Sequence, residues 1–519
     1  MSRTVVAMFA SMLVMVAIVW ALANSEKRTS FVAPPDSQNG SAAGSDQHRT
    51  SGLMIYCAAS NRAVIDAIRA DYEREFGRTV DIQYGPSQTL LSSIEVSGVG
   101  DLFLPADDSF MVMAADKKLI SEKLPIAQMR GVLAVRKGNP KGITRFEDLI
   151  KPGIVLVQAS TDASAIGKLT RERLSEQKLW DKLHATTKAY RGTVTDVAND
   201  LQVGAADVGI VYDAVLHSYP DLQAVSIPEL EKVVSDVSLA VIRTAKQSRE
   251  ALHFARYIAA RDRGLKRYQE FGFQVAKGDV WSDVPELSVF AGSMLRPAID
   301  ETINAFEKRE GVKVSRVYNG CGILVAQMKA GQHPDAYFAC DREFMNSVPD
   351  IFPSPVDVSQ NELVILVKKG NPLKISSLKD LARPDVRVGI GHEKQCAMGW
   401  LTQNTLKASG LQNEVMANVK VQTPSGDMLV NQMQTGSLDA AVAYLSNAAG
   451  AADFLDAVAI KGISCSIAVQ PFAVAVDSPY AQTTNRLFQL LLSAESKETF
   501  LAEGFRWNLP VKGNSGHGE

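Results

Sequence analysis

The chain has 519 residues, enough for more than one domain, and its 55 Lys and Arg against 57 Asp and Glu leave a net charge of −2 at neutral pH. Neither sign gathers in a long block, so the basic stripe that neutralises phosphates is missing and no nucleic-acid partner is expected. Five cysteines without a CxxC pair speak against a zinc ribbon.

Residues 5–23 read VVAMFASMLVMVAIVWALA, interrupted only by Ser11 and preceded by Arg3. That length suits a membrane span better than the roughly 7–15-residue apolar core of a cleaved signal, although Ala21-Leu22-Ala23 resembles a small-residue cleavage site. Residues 1–24 are therefore expected to be a membrane anchor or a signal segment, and 25–51, rich in Ser, Gly, Asn, Asp and Pro, a flexible tether. Either way the remainder is exported, to the periplasm or cell exterior, held at the inner membrane by the N-terminal helix or released after cleavage.

From residue 53 onward the chain carries one pattern of landmarks twice, at an offset of 232–234 residues. In the first copy 53–57 predicts a strand, Ala58-Ala59-Ser60 a small-residue turn, and 63–76 a helix with Ile65, Ile68 and Tyr72 at helical spacing. A strand at 80–84 leads to Ser87, and an apolar run at 131–135 precedes the Lys-Gly-Asn-Pro of 137–140. Residues 154–157 open a second strand-helix unit whose helix begins near Gly167, 207–212 is a short strand ending at Tyr212, and an aromatic-glycine segment around Gly272 closes the copy.

The second copy repeats this order: a strand at 287–290, the turn Ala291-Gly292-Ser293, a helix over 297–309 with Pro297 in its first turn, a strand at 312–318, then Cys321. Apolar runs follow at 362–367, before the Lys-Gly-Asn-Pro of 369–372, and at 386–390, with a helix near Gly399, then a strand ending at Tyr444 and the closing Gly504. In this alignment Ser293 stands opposite Ser60 and Cys321 opposite Ser87.

A period of about 230 residues is a tandem domain duplication, far longer than the roughly 20–50 residues of a solenoid unit. Each copy exceeds the common domain size of about 100–150 residues, so two lobes per copy are expected. The expected boundaries are 52–277 for the first domain and 285–511 for the second, with 512–519 a disordered tail.

Strand, turn, helix, strand is the pattern of a parallel, helix-covered α/β sheet, in which ligands bind beyond the carboxyl ends of the strands. Ser60, Ser87, Ser293 and Cys321 all fall at such ends. Helix N-termini offer unpaired N–H groups and positive dipole ends, and several aimed at one cleft hold an anion without Lys or Arg. Serine and tyrosine hydroxyls add donors. Ser60, Ser87 and Ser293 could equally be ordinary N-caps, but recurrence in both copies favours function, since capping accepts Thr, Asn or Asp as well.

The segments Ile55-Tyr56-Cys57-Ala58-Ala59-Ser60, Tyr84-Gly85-Pro86-Ser87, Gly204 through Tyr212 and Phe271-Gly272-Phe273 resemble the periplasmic molybdate-binding proteins of ABC transporters. Val289-Phe290-Ala291-Gly292-Ser293, Gly320-Cys321-Gly322, the run 330–341 and Gly436 through Tyr444 are similar to the same family and its tungstate-binding relatives. The resemblance covers nearly all of both copies and implies two tandem type 2 periplasmic-binding-protein domains, each of two α/β lobes around a ligand cleft. It implies a molybdate, tungstate or similar oxyanion as ligand and an ABC permease as partner. Carried over residue by residue, the ligand set is Ser60, Ser87, Ala165, Val194 and Tyr212 in the first copy, and Ser293, Cys321, Ala397, Gly426 and Tyr444 in the second, the small residues acting through backbone N–H groups.

Three departures qualify this. Gln88 stands where the family has glycine, Gly98-Val99-Gly100-Asp101 replaces Gly-x-Pro-Ala-Asp, and Cys321 takes the place of a ligand serine while Cys396 lies in the third cleft loop. A thiol donates poorly and a thiolate repels an oxyanion. The cysteines admit three readings: inert packing residues, a Cys321–Cys396 disulfide across the cleft, or a soft-metal or thiol-reactive site. His333 and His392 have no second ligand at fixed spacing, and no cofactor is expected. No Gly-x-Ser-x-Gly elbow surrounds a serine that could pair with His184 or His217, so an enzyme is not expected. A membrane-tethered sensor or scaffold built on tandem binding folds is the alternative to a transport receptor.

Overall fold

A computed structural model describes residues 52–509. The expected anchor or signal segment, the tether and the C-terminal tail lie outside them. Among the described residues no helix is long and apolar enough to cross a membrane.

The first copy is built on strands β1 (Leu53–Ala58), β2 (Val80–Gly85), β3 (Leu102–Leu104), β4 (Ile120–Arg136), β5 (Leu156–Ala159), β6 (Thr187–Arg191), β7 (Val208–Tyr212), β8 (Leu222–Val225), β9 (Val234–Ile242) and β10 (Gln274–Val275). Their order is β2-β1-β3-β9-β4-β7-β5-β6, with β8 and β10 also on β4. The second copy repeats it in β11 (Glu286–Gly292), β12 (Lys313–Asn319), β13 (Ala336–Phe338), β14 (Val356–Lys368), β15 (Val388–Gly391), β16 (Val419–Thr423), β17 (Ala440–Tyr444), β18 (Leu455–Ala459), β19 (Ile467–Val474) and β20 (Arg506–Trp507), in the order β12-β11-β13-β19-β14-β17-β15-β16.

The two lobes of each copy arise from one strand. Residues 120–130 of β4 pair with β9, and from Gly131 onward the same strand pairs with β7 and β8. The sequence pattern predicts only the short piece 131–135, because the earlier part alternates buried residues such as Leu124 and Ile126 with exposed charges and reads as no continuous apolar run. Likewise 362–367 is the end of the longer β14.

Local chemistry sets the elements that matter for the cleft. The helix Arg62–Phe76 buries Ile65, Ile68 and Tyr72 on one face and stops at Gly77, whose φ of 64° an L side chain adopts only with strain. Each of those side chains contributes roughly 1.5–3 kcal/mol by leaving water. The Lys-Gly-Asn-Pro turns are also matched: Asn139 and Asn371 both take positive φ and bond Ile143 and Ile375 through their side chains.

The copies are bolted to one another. Glu310 is buried between Arg256 of the first copy and Arg486 of the second, with Arg486 Nε to Glu310 Oε1 at 2.6 Å and Arg256 Nη1 to Glu310 Oε2 at 3.4 Å. Beside them the Asp279 carboxylate caps the helix Ala481–Leu491, accepting from Gln482 N (2.7 Å), Thr483 N (2.9 Å) and Thr483 Oγ1 (2.7 Å).

Candidate functional site

Each copy has a cavity where its two lobes face one another at strand ends. In the first copy Ser60, Ser87, Ala165, Val194 and Tyr212 line one space of about 230 Å³. Ser60 comes from the turn after β1 and Ser87 opens the helix Ser87–Ser97 after β2. Ala165 and Val194 are the first residues of the helices Ala165–Glu176 and Val194–Gln202 in the other lobe, and Tyr212 ends β7.

The polar groups of this cavity are poised to donate. Ser87 Oγ accepts the Ala106 N–H (3.0 Å), which leaves its own proton for a ligand. Ser60 Oγ accepts from Asn61 Nδ2 (3.3 Å), an amide whose orientation is set by Tyr268 Oη donating to Asn61 Oδ1 (3.1 Å). The first-turn N–H groups of the two helices have no intrahelical acceptor and carry the positive end of the helix dipole.

Tyr212 is the outlier. Its side chain is 1% exposed and its hydroxyl has no hydrogen-bond partner. The neighbouring Ser235 hydroxyl donates to the Ala106 carbonyl and lies 3.1 Å from Asp107 Oδ2, so it can meet the phenol only as an acceptor. Burial raises the Tyr212 pKa well above an ordinary phenol, so it keeps its proton throughout the physiological range. An orphaned buried hydroxyl costs about 1–3 kcal/mol, a penalty that an incoming acceptor removes. Among the described residues no Lys, Arg or His lines the cavity.

The departures in this copy are accommodated locally. Gln88 turns its side chain along its own helix to Ser92 Oγ (3.3 Å), while its N–H reaches across to the Ala163 carbonyl (3.2 Å). In the altered 98–101 loop Asp101 still ties the sheet, accepting from Met54 N at 2.9 Å as Asp335 does from Ser288 N at 2.7 Å.

The second cleft has the same frame and different chemistry. Ser293, Ala397, Gly426 and Tyr444 line a space of about 270 Å³, and the Tyr444 hydroxyl is again buried without a partner. Cys321 does not line it. It lies directly behind, taking the Cys340 N–H at 3.1 Å as Ser87 takes that of Ala106.

Strand register corrects one expectation. β1 ends with Ala58 opposite Gly85, and β11 with Gly292 opposite Asn319, a uniform offset of 234 that continues through Ser87 and Cys321. Ser293 therefore matches Ala59, and the residue matching Ser60 is Met294, which also lines the cavity. Two similar short turns, each with one serine, align by residue type a position out of step; only the ladder reveals the slip. Sequence reasoning also missed Cys340, which matches Ala106 and lines the cavity with Cys396. The uniform offset, had it been carried through the 330–341 run, would have found it.

All five cysteines are free thiols, so Cys321 and Cys396 are not joined. The thiol beside Cys321 is that of Cys340. Gly292 is what lets them meet, because a Cβ there would lie 1.9 Å from Cys340 Sγ and 3.1 Å from Cys321 Sγ. Burial pushes the Cys321 thiol up, but hydrogen bonds from the Cys340 thiol and N–H outweigh it and hold Cys321 below the ordinary value; the same contact and burial push Cys340 up. Burial pushes Cys396 up to about 11. His392 Nδ1 accepts from Lys394 N, and His184 is bonded to Tyr190 Oη (2.6 Å) rather than to Ser60.

The model of the bacterial extracellular solute-binding protein family matches residues 53–274 and again 287–506. A molybdate-binding protein of Mycobacterium bovis is 27% identical over 211 residues, 40% of this chain and 79% of its own length. A molybdate-binding protein of Escherichia coli is 28% identical over 176 residues, 31% of this chain and 66% of its own. Among solved structures, the periplasmic molybdate-binding protein of Azotobacter vinelandii aligns at 15% identity and a TM-score of 0.38, over 43% of this chain and all of its own. With the family matched twice, the chain belongs to the bacterial extracellular solute-binding proteins and carries two tandem copies of their fold.

Proposed function

We propose that this chain is the extracytoplasmic receptor of an ABC importer and that its first cleft captures a tetrahedral oxyanion, molybdate or tungstate. The carrying observation is the buried Tyr212 hydroxyl without a partner, set beside two serine hydroxyls and two helix N-termini in a cavity that no cationic side chain lines among the described residues. Such a donor set satisfies an anion by hydrogen bonds alone. The names of the molybdate-binding relatives support the choice of anion. Ser60, Ser87 and Tyr212 act as hydroxyl donors and Ala165 and Val194 through their N–H groups. Because these come from both lobes, the anion holds the lobes shut and presents a closed receptor to the permease. The apolar segment 5–23 serves as the membrane anchor and 25–51 as the tether between it and the first domain.

Titration calorimetry of the full chain with molybdate, tungstate, sulfate and phosphate tests this. Saturable binding of molybdate or tungstate that Ser60→Ala weakens at least tenfold is expected. Absence of heat with all four anions refutes the reading.

A further inference from the structure

The second cleft has gained sulfur side chains. At matched positions Ser60 becomes Met294, Ser87 becomes Cys321, Ala106 becomes Cys340 and Ser164 becomes Cys396. Met398 adds a further thioether to the lining where the first copy has Ile166. Chance loss of an oxyanion site would scatter these replacements among many residue types. Here four side chains around one space, Met294, Cys340, Cys396 and Met398, carry sulfur where the first copy has Ser60, Ala106, Ser164 and Ile166.

We infer that the second cleft is a binding site for a soft, thiophilic d10 cation of the Cu(I) type, held by the thiolates of Cys340 and Cys396 with the Met294 thioether alongside. Thiolate and thioether sulfur are the ligands such ions prefer over water and carboxylate. Among the described residues no three His, Cys, Asp or Glu side chains converge on one point, so a zinc-type cage is not formed. A two-sulfur site remains, and linear two-coordination is what Cu(I) accepts and Zn(II) does not. Cys340 and Cys396 line the same space, the Cys396 thiol resting against the His392 and Thr423 carbonyls at 3.6 Å. Cys321 positions Cys340 by taking its N–H, and Gly292 leaves room for both sulfurs. Binding exchanges two thiol protons for one Cu(I), with both protons passing to solvent and no change of oxidation state.

The test is an anaerobic titration of the reduced full chain with Cu(I) in competition with a chromophoric Cu(I) chelator, alongside Zn(II). Expected are one Cu(I) per chain, a thiolate-to-copper absorption in the ultraviolet, and at least a hundredfold preference over Zn(II). Cys340→Ala and Cys396→Ser install the first copy's own residues, which this frame already tolerates, and each should weaken Cu(I) at least tenfold without changing molybdate binding. Ser60→Ala should do the reverse. The inference is overturned if the reduced chain takes up no Cu(I), if both cysteine variants bind it as the parent does, or if Zn(II) binds as tightly. Failure of molybdate binding with Cu(I) binding intact would count against the first cleft alone.

Discussion

Replacing Tyr212 by Phe removes one hydroxyl from a fully buried ring and leaves the packing of β7 in place. In the unliganded chain that hydroxyl has no partner, so no bond is broken and a desolvation penalty of about 1–3 kcal/mol is relieved. In the anion complex the same hydroxyl donates a charge-assisted hydrogen bond of about 1.5–3 kcal/mol. At about 1.4 kcal/mol per tenfold, its loss weakens binding roughly 10- to 150-fold. The two effects have opposite signs, which separates a ligand donor from a structural hydroxyl. Calorimetric unfolding of unliganded Tyr212→Phe should give a Tm equal to or above the parent's, while isothermal titration shows the weakened molybdate affinity. Destabilisation of the unliganded variant by more than about 1 kcal/mol would mean the hydroxyl has a protein partner, and an unchanged Kd would mean it never meets the anion.

Two further outcomes rest on other parts of the molecule. Glu310→Gln leaves Arg256 and Arg486 buried without their shared carboxylate, and breaking such a group costs about 3–5 kcal/mol; a thermal melt no lower than the parent's would show the junction is held by its other contacts. His253 is buried against Tyr72 Oη (2.8 Å) and Asp283 Oδ1 (2.7 Å), with burial as the main cause of a lowered pKa. Its contribution to stability is complete above the unfolded histidine value of about 6.5 and is lost as pH falls toward the lower folded value, because the unfolded chain takes the proton first. Urea unfolding at descending pH should show that loss, and His253→Gln should flatten it; an identical pH profile in the variant would refute the assignment.

Most of the frame was legible in the chain because its signals are local. The continuous apolar run of Leu53–Ala58, the amphipathic face of Arg62–Phe76 and the Lys-Gly-Asn-Pro turns each announce themselves within a few residues. β4 and β14 were seen only in part, since a strand shared by two lobes changes its buried face along its length and breaks any single period. The first cleft was legible as a set of loop residues, and nine of the ten expected positions line the two cavities. Cys321 is the tenth, displaced behind the wall by Cys340, a residue that nothing in its own neighbourhood marks out.

The sequence by itself determined that the chain is a tandem repeat of an α/β binding fold with its chemistry at strand-to-helix turns, because periodicity, turn residues and spacing are properties of neighbours in the chain. Tertiary structure decided which donors are left without partners and which side chains face each cleft. Whether the Tyr212 hydroxyl is satisfied depends on the groups packed around a ring buried at the end of β7, and whether Met294 or Ser293 replaces Ser60 depends on a strand ladder. Both are settled by groups distant in sequence, since the solvation of a buried atom depends on everything packed around it rather than on the residues beside it in the chain.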